Sequence, residues 1–168
     1  MTINSTSARA AELLAAGEEN NPFVACSPLS GTWSTDIGTE VLDAANAGNT
    51  LSTFDRWEAT ENGSNRAALA VDLGSPQSPT FIGVAAHNLG TKASEVFLQR
   101  SSDGSTWSTV STSISPTNNA AFGWRIDSTV TDRYWRLRCD NIPSGETAQI
   151  GIAFFGTEII IPQRIYQG

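Results

Sequence analysis

Two cysteines, one histidine, one lysine and one methionine are all that 168 residues contain of these types. Cys26 and Cys139 are too few for a disulfide scaffold and lack the close spacing of a metal knuckle, so both are expected to be free and buried. His87 is the sole histidine, so a Ser-His-Asp site would have to use it, yet it stands beside Asn88 in no nucleophile-elbow motif. It reads as a strand-end residue with local hydrogen bonds. The carboxylates are scattered rather than paired for glycoside hydrolysis. A protein without catalytic activity is the expectation. No stretch approaches the ~20 apolar residues of a membrane-crossing helix. The first residues, MTINSTSARAAELLAAGEENN, hold no apolar run long enough for a signal peptide. Folding in a reducing cytoplasm follows as an expectation, without membrane insertion.

Charge is also scarce, at 16% of residues, and it leans one way. Seventeen acidic against ten basic side chains give a net charge of -7, which repels phosphate backbones and anionic lipid surfaces. Nucleic acid is therefore not an expected partner. Lys92 is the only lysine; the other cations are arginines, which suit fixed ion pairs or a GC-rich coding sequence. What the chain does have is 39% hydrophobic residues, enough for the core of one domain.

One segment reads as helix. Residues 7–16 are good helix formers after a Ser or Thr cap, with Gly17 placed to end them. Ala10, Leu13 and Leu14 form a narrow apolar stripe that should pack on the domain body or on a partner chain. From residue 22 onward, short runs rich in Val, Ile, Thr, Phe and Trp alternate with Gly, Pro, Asn and Ser clusters, the pattern of an all-β sandwich. Strands are expected over 67–73, 80–87, 94–100, 105–111, 121–126, 133–139 and 149–155, with a last one over 158–161. Within 133–139, Tyr134, Arg136 and Arg138 share one face and the alternation is ambiguous. Long side chains on both faces suggest a central strand whose arginine heads reach charge partners. Residues 31–63 look like a long, weakly patterned loop of the kind that binds something or is tied down. Residues 162–168 carry no core pattern and look like an arm lying on another surface.

Three motifs occur in order: Val71-Asp72-Leu73-Gly74, then Ser101-Ser102-Asp103-Gly104-Ser105-Thr106-Trp107, then Arg133-Tyr134-Trp135-Arg136-Leu137. Ala153-Phe154-Phe155-Gly156-Thr157-Glu158 follows. Asp103-Gly104 suits a tight turn with positive φ, after which the Trp107 ring is expected to fill the sandwich. Trp57, Trp107 and Tyr134 are assigned to packing. Together the motifs resemble the discoidin-like, galactose-binding-like jelly roll of coagulation-factor C-type domains and bacterial carbohydrate-binding modules, over roughly residues 40–160. The short strings 82–91 and 156–164 also resemble discoidin-like proteins encoded among tailed-phage structural genes.

The resemblance implies ligands at the loops on one end of the sandwich, and in many relatives a calcium ion in the early loop. Asp43, Asn46, Thr50 and Glu158 match such a calcium site loosely, because the family's Asp-Gly is replaced by Asp43-Ala44-Ala45-Asn46-Ala47-Gly48. Asx and Ser/Thr turns in an ion-free loop are the alternative. A sugar site needs an exposed aromatic platform flanked by polar groups. Trp33, Phe54, Arg56, Trp57 and Trp124 are the candidates, with Asn62, Asn65, Arg66 and Asn88 as polar neighbours. The same residue types anchor protein interfaces.

The expected architecture is thus an all-β, discoidin-like jelly-roll sandwich with a short N-terminal helix and an extended C-terminal arm. Residues 1–35 form the helix and lead-in, 36–161 the sandwich and 162–168 the arm. The expected role is a non-enzymatic virion component of a tailed phage, located in tail, baseplate, neck or capsid decoration. It would be assembled in the host cytoplasm and bound to other virion proteins and copies of itself. The alternative is a carbohydrate-binding module for a host surface glycan.

Overall fold

A computed structural model describes residues 2–49, 54–93 and 95–161. The N-terminal strand β1 (Thr2–Ser5) leads into the expected helix α1 (Ser7–Ala16). Thr6 caps it, its side chain accepting the Arg9 N–H, and Gly17 ends it with φ 68°. That left-handed turn is open to glycine without a Cβ penalty. Leu13 is buried against the body while Leu14 stays exposed, so the helix packs on its own domain.

The remaining elements are β2 (Phe23–Pro28), β3 (Thr32–Ile37), β4 (Thr39–Leu42), a 3-10 helix (Ala44–Gly48), β5 (Trp57–Thr60), β6 (Arg66–Gln77), β7 (Phe81–His87), α2 (Leu89–Lys92), β8 (Glu95–Ser101), β9 (Ser108–Thr109), β10 (Phe122–Arg125), β11 (Asp132–Asp140) and β12 (Thr147–Ile160). Among the described residues they form two sheets. One runs β1-β10-β7-β12-β5-β4, with β2 also paired to β12; the other runs β3-β6-β11-β8-β9. The all-β, jelly-roll-like sandwich expected from the sequence is what the chain adopts.

Local differences have physical reasons. The span 31–63 is not one long loop, because it holds β3, β4, the 3-10 helix and β5. Strand β4 is exposed at every position, so no burial pattern marks it. The run 105–111 shrinks to β9, since Asp103 accepts the Ser105 and Thr106 N–H groups and holds the chain in a turn. The run 158–161 is no separate strand: β12 continues through Ile160 across a register shift at Gly156/Thr157. Strand β2 and the first part of β3 fall in the stretch read as lead-in, and the two strands pair with β12 and β6 respectively. The arm at 162–168 lies outside the described residues.

Strand β11 is central in its sheet, between β6 and β8. Its odd positions Trp135, Leu137 and Cys139 point into the core, each 0% exposed, while Tyr134, Arg136 and Arg138 face outward. Three indoles, Trp57, Trp124 and Trp135, are fully buried. Each donates its Nε1–H: to Thr35 Oγ1 at 2.8 Å, to the Thr112 carbonyl at 3.3 Å and to the Asp132 carbonyl at 3.0 Å. A buried donor left unpaired would be costly, so these partners allow large rings in the core. Both cysteines are free; Cys139 is buried, its thiol pushed up to about 12 by burial, whereas Cys26 is only half-buried.

Candidate functional site

Of the aromatic residues singled out as ligand platforms, Trp57 and Trp124 are 0% exposed. They sit on inward positions of β5 and β10, where the strand pairing turns both rings into the core, so neither offers a face to a ligand. Phe54 is 92% exposed. Arg56 folds back on Glu58, with Nε and Nη2 at 3.2 and 3.1 Å from one carboxylate oxygen.

Trp33 has the required properties. It lies on β3, half-buried against the core, with its ring edge-on to Phe155 at 5.7 Å. From the other side the 3-10 helix comes so close that a Cβ on Gly48 would stand 2.1 Å from Trp33 Nε1. Only glycine fits there without moving the indole. Two clefts open beside this ring. One, of about 430 Å³, is lined by Leu29, Gly31, Ala45, Asn49 and Phe154 as well as Trp33. The other, of about 580 Å³, is lined by Trp33 with Ser34, Thr39, Glu40 and Asp43. The wall is organised by its own carboxylates: Glu40 accepts the Thr35 hydroxyl at 2.7 Å and the Ala44 N–H at 3.1 Å, and Asp43 accepts the Ala45 N–H at 2.9 Å. A rigid aromatic edge flanked by oriented polar groups can hold a polyhydroxylated ligand.

The residues matched to calcium do not converge. Asp43 caps the 3-10 helix, and Asn46 donates its Nδ2–H to the Arg56 carbonyl at 3.1 Å. Thr50 lies outside the described residues. Glu158 belongs to a different region, where its carboxylate is held by the guanidinium groups of Arg9 and Arg125. A carboxylate neutralised by two cations is a poor calcium ligand, so these residues do not fit a shared ion.

The polar residues singled out with the aromatics collect at the end of the sandwich formed by residues 61–65, 88–93 and 141–146. Arg66 reaches Asp140 at 3.5 Å. Asn88 ties two strands together, its Nδ2 donating to the Thr147 carbonyl and its Oδ1 accepting the Gln149 N–H, each at 2.9 Å. The Asn62 side-chain oxygen accepts the Ser64 N–H at 3.1 Å, and the Asn65 backbone carbonyl accepts the Ile142 N–H at 3.0 Å. A cavity of about 370 Å³ lies here, lined by Gly90, Thr91, Lys92, Thr117, Asn141 and Pro143. Aromatic rings line the Trp33 clefts but not this cavity.

His87 is buried at the end of β7, with Nε2 3.0 Å from the Ala120 carbonyl and Nδ1 accepting the Leu89 N–H at 3.1 Å. Burial holds its pKa below 6.5, so the folded protein favours the neutral ring. The unfolded chain then binds more protons below pH 6.5, and stability should be complete above that value and decline as pH falls beneath it. Urea midpoints at pH 7.5 and 5.5 check this; His87→Gln should shrink the difference, and an unchanged difference would assign it to other groups.

Two aromatics assigned to packing prove to lie outside the core. Trp107 and Tyr134 are half-exposed on the outer face of the five-stranded sheet. Trp107 precedes β9 rather than lying on it, and Arg136 stacks on its ring at 4.3 Å. Strict alternation along 133–139, once Trp135 is placed inward, is the signal that points Tyr134 outward.

The F5/8 type C domain model matches residues 23–152. A search of the curated proteins finds no match. Solved structures share the fold. The family 32 carbohydrate-binding module from Clostridium perfringens NanJ, in complex with galactose, has TM-score 0.60 at 18% identity, covering 82% of this chain and 100% of that one. A chitosan-binding module from a chitosanase/glucanase of Paenibacillus sp. IK-5 has TM-score 0.59 at 20% identity, covering 77% and 98%. The family 32 module of AlyQ, in complex with 4,5-unsaturated mannuronic acid, has TM-score 0.54 at 22% identity, covering 79% and 98%. The motifs at 71–74, 101–107 and 133–137, the two-sheet sandwich they form and the match over residues 23–152 lead to one conclusion: this chain belongs to the F5/8 type C domain family.

Proposed function

We propose that this chain is a non-catalytic carbohydrate-binding module that takes a sugar against Trp33, in the clefts that the ring shares with the 3-10 helix and β12 and with β3 and β4. The observation that carries this reading is the Trp33 ring, held by Phe155 and Gly48 yet bordering two clefts, one largely apolar and one walled by polar side chains. Support comes from the ligands named for structures of the same fold: galactose, chitosan and an unsaturated mannuronic acid. A fixed ring loses little conformational entropy on binding, so stacking and hydroxyl hydrogen bonds are retained as affinity.

Affinity electrophoresis through gels containing galactan, chitosan or alginate tests the proposal. The wild-type chain should be retarded in at least one gel, and Trp33→Ala should restore free mobility. Gly48→Ala, which displaces the indole without deleting it, should weaken retardation as well. Retardation that survives both substitutions but is lost in Thr91→Arg would move the site to the cavity beside Lys92 and overturn the Trp33 assignment.

One observation favours a second reading, the tailed-phage structural component assembled in the host cytoplasm. Val24 and Ile159, register partners in β2 and β12, are 51% and 59% exposed, and Ile161 follows at 45%. Side chains two apart along a strand share a face, so these aliphatic groups form an apolar strip suited to contact between subunits. The family and fold matches lend the particle setting no support. Its test is co-sedimentation with particles in lysate of the native source, resistant to high salt; recovery only as a free chain would contradict it.

A further inference from the structure

We infer that the outer face of the five-stranded sheet is a second sugar-binding surface, a shallow groove along β6 that takes a linear, uncharged oligosaccharide; this rests on the carbohydrate-binding reading and extends it. Alternation and register place Ser34, Ala70, Arg136 and Gln99 in one row across the face, and Thr32, Asp72, Tyr134 and Ser101 in another. Strand β6 contributes only the methyl group of Ala70 between the small Ser34 of β3 and the long Arg136 of β11. The middle of the face is therefore a trough. A cavity of about 350 Å³ occupies it, lined by Ser34, Asp36, Ala70, Asp72, Trp107 and Tyr134.

The chemistry of the walls selects the occupant. Trp107 and Tyr134 are half-exposed rings, each steadied by a guanidinium: Arg136 at 4.3 Å from the first and Arg133 at 4.9 Å from the second. Arg133 grips Asp72 with two hydrogen bonds of 2.7 Å, while Arg136 binds Asp36 and donates to Gln99 Oε1 at 2.8 Å. Every charge in the trough thus has its partner within the face, leaving no net field to draw an ionic ligand. The planar pairs still present fixed donors and acceptors that match vicinal hydroxyls. From Thr32 to Asp36 the lining of the trough spans about 13 Å along β3 at ~3.3 Å per residue, longer than a single pyranose ring. A sugar chain fills it; one sugar does not.

Isothermal titration with N-acetylated chito-oligosaccharides and β-linked galacto-oligosaccharides, from monosaccharide to hexasaccharide, tests the groove. Wild-type affinity should rise with chain length. Trp107→Ala should weaken hexasaccharide binding about ten-fold and leave monosaccharide binding unchanged. Thr32→Arg, made at an exposed position that lines the trough but neither of the Trp33 clefts, should do the same without disturbing the core. Trp33→Ala should show the opposite split, losing the monosaccharide and keeping the gain with length. A length dependence untouched by Trp107→Ala and Thr32→Arg, or abolished by Trp33→Ala, overturns the groove while the Trp33 site stands. Absence of binding to any sugar by the wild-type chain overturns both readings.

Discussion

Glu158→Ala is expected to lower the free energy of unfolding by about 3–5 kcal/mol, the range for removing one partner of a buried ion pair. The Glu158 side chain is 1% exposed, and two arginines converge on it. Arg9 places Nε and Nη2 at 3.0 and 2.6 Å from Oε1. Arg125 donates from Nε to Oε2 at 2.7 Å and from Nη2 to Oε1 at 3.1 Å. Arg125 is itself 8% exposed in its side chain, with its guanidinium 4.4 Å from the centre of the Phe23 ring. Deleting the carboxylate leaves that cation buried without its counter-charge, which dominates the loss. Arg9 comes from α1, so the same change releases the helix from the sheet. Urea unfolding followed by circular dichroism measures the first effect, and faster hydrogen exchange over residues 7–16 measures the second. A loss below about 1 kcal/mol, typical of surface pairs, would contradict a dry, structural Glu158.

Trp57→Ala should be of similar size, about 3–5 kcal/mol, from lost apolar transfer and the cavity left behind. Trp57 is 0% exposed and lies in the sheet opposite to β3, to which its Nε1–H reaches by the 2.8 Å bond to Thr35 Oγ1. The same Thr35 hydroxyl donates to Glu40. The indole therefore couples core packing to the wall of the Trp33 cleft. Trp57→Phe keeps most of the apolar area and removes the hydrogen bond, worth about 0.5–1.5 kcal/mol. The two variants should accordingly differ clearly in urea midpoint. If they destabilise equally, the hydrogen bond rather than the volume carries the site.

These effects bear on what the sequence discloses. Helix α1 is legible because its cap at Thr6 and stop at Gly17 are local chemistry, and strands β6, β7 and β10 to β12 because their apolar residues have to reach one core. Strand β4 is not legible, since all of its residues are exposed and no alternation marks them. Face is harder to read than strand. Five tryptophans look alike in sequence, yet Trp57, Trp124 and Trp135 are buried while Trp107 lies on the outer face. The difference is set by the register of neighbouring strands. Glu158 is the sharpest case: as a carboxylate following a family-like motif it suggests calcium, but Arg9 is 149 residues away in sequence. Only the folded chain brings the helix cation to it. Trp33 is legible as an aromatic in a polar segment; its fixing by Gly48 is not, because that contact depends on how the 3-10 helix folds back.

The most direct test of the account is a glycan array probed with the wild-type chain and Trp33→Ala side by side. Binding of the wild-type chain to a defined set of neutral glycans, with those signals lost in Trp33→Ala, is the predicted result. Signals at background level for both, or identical for both, would contradict a carbohydrate-binding module centred on Trp33.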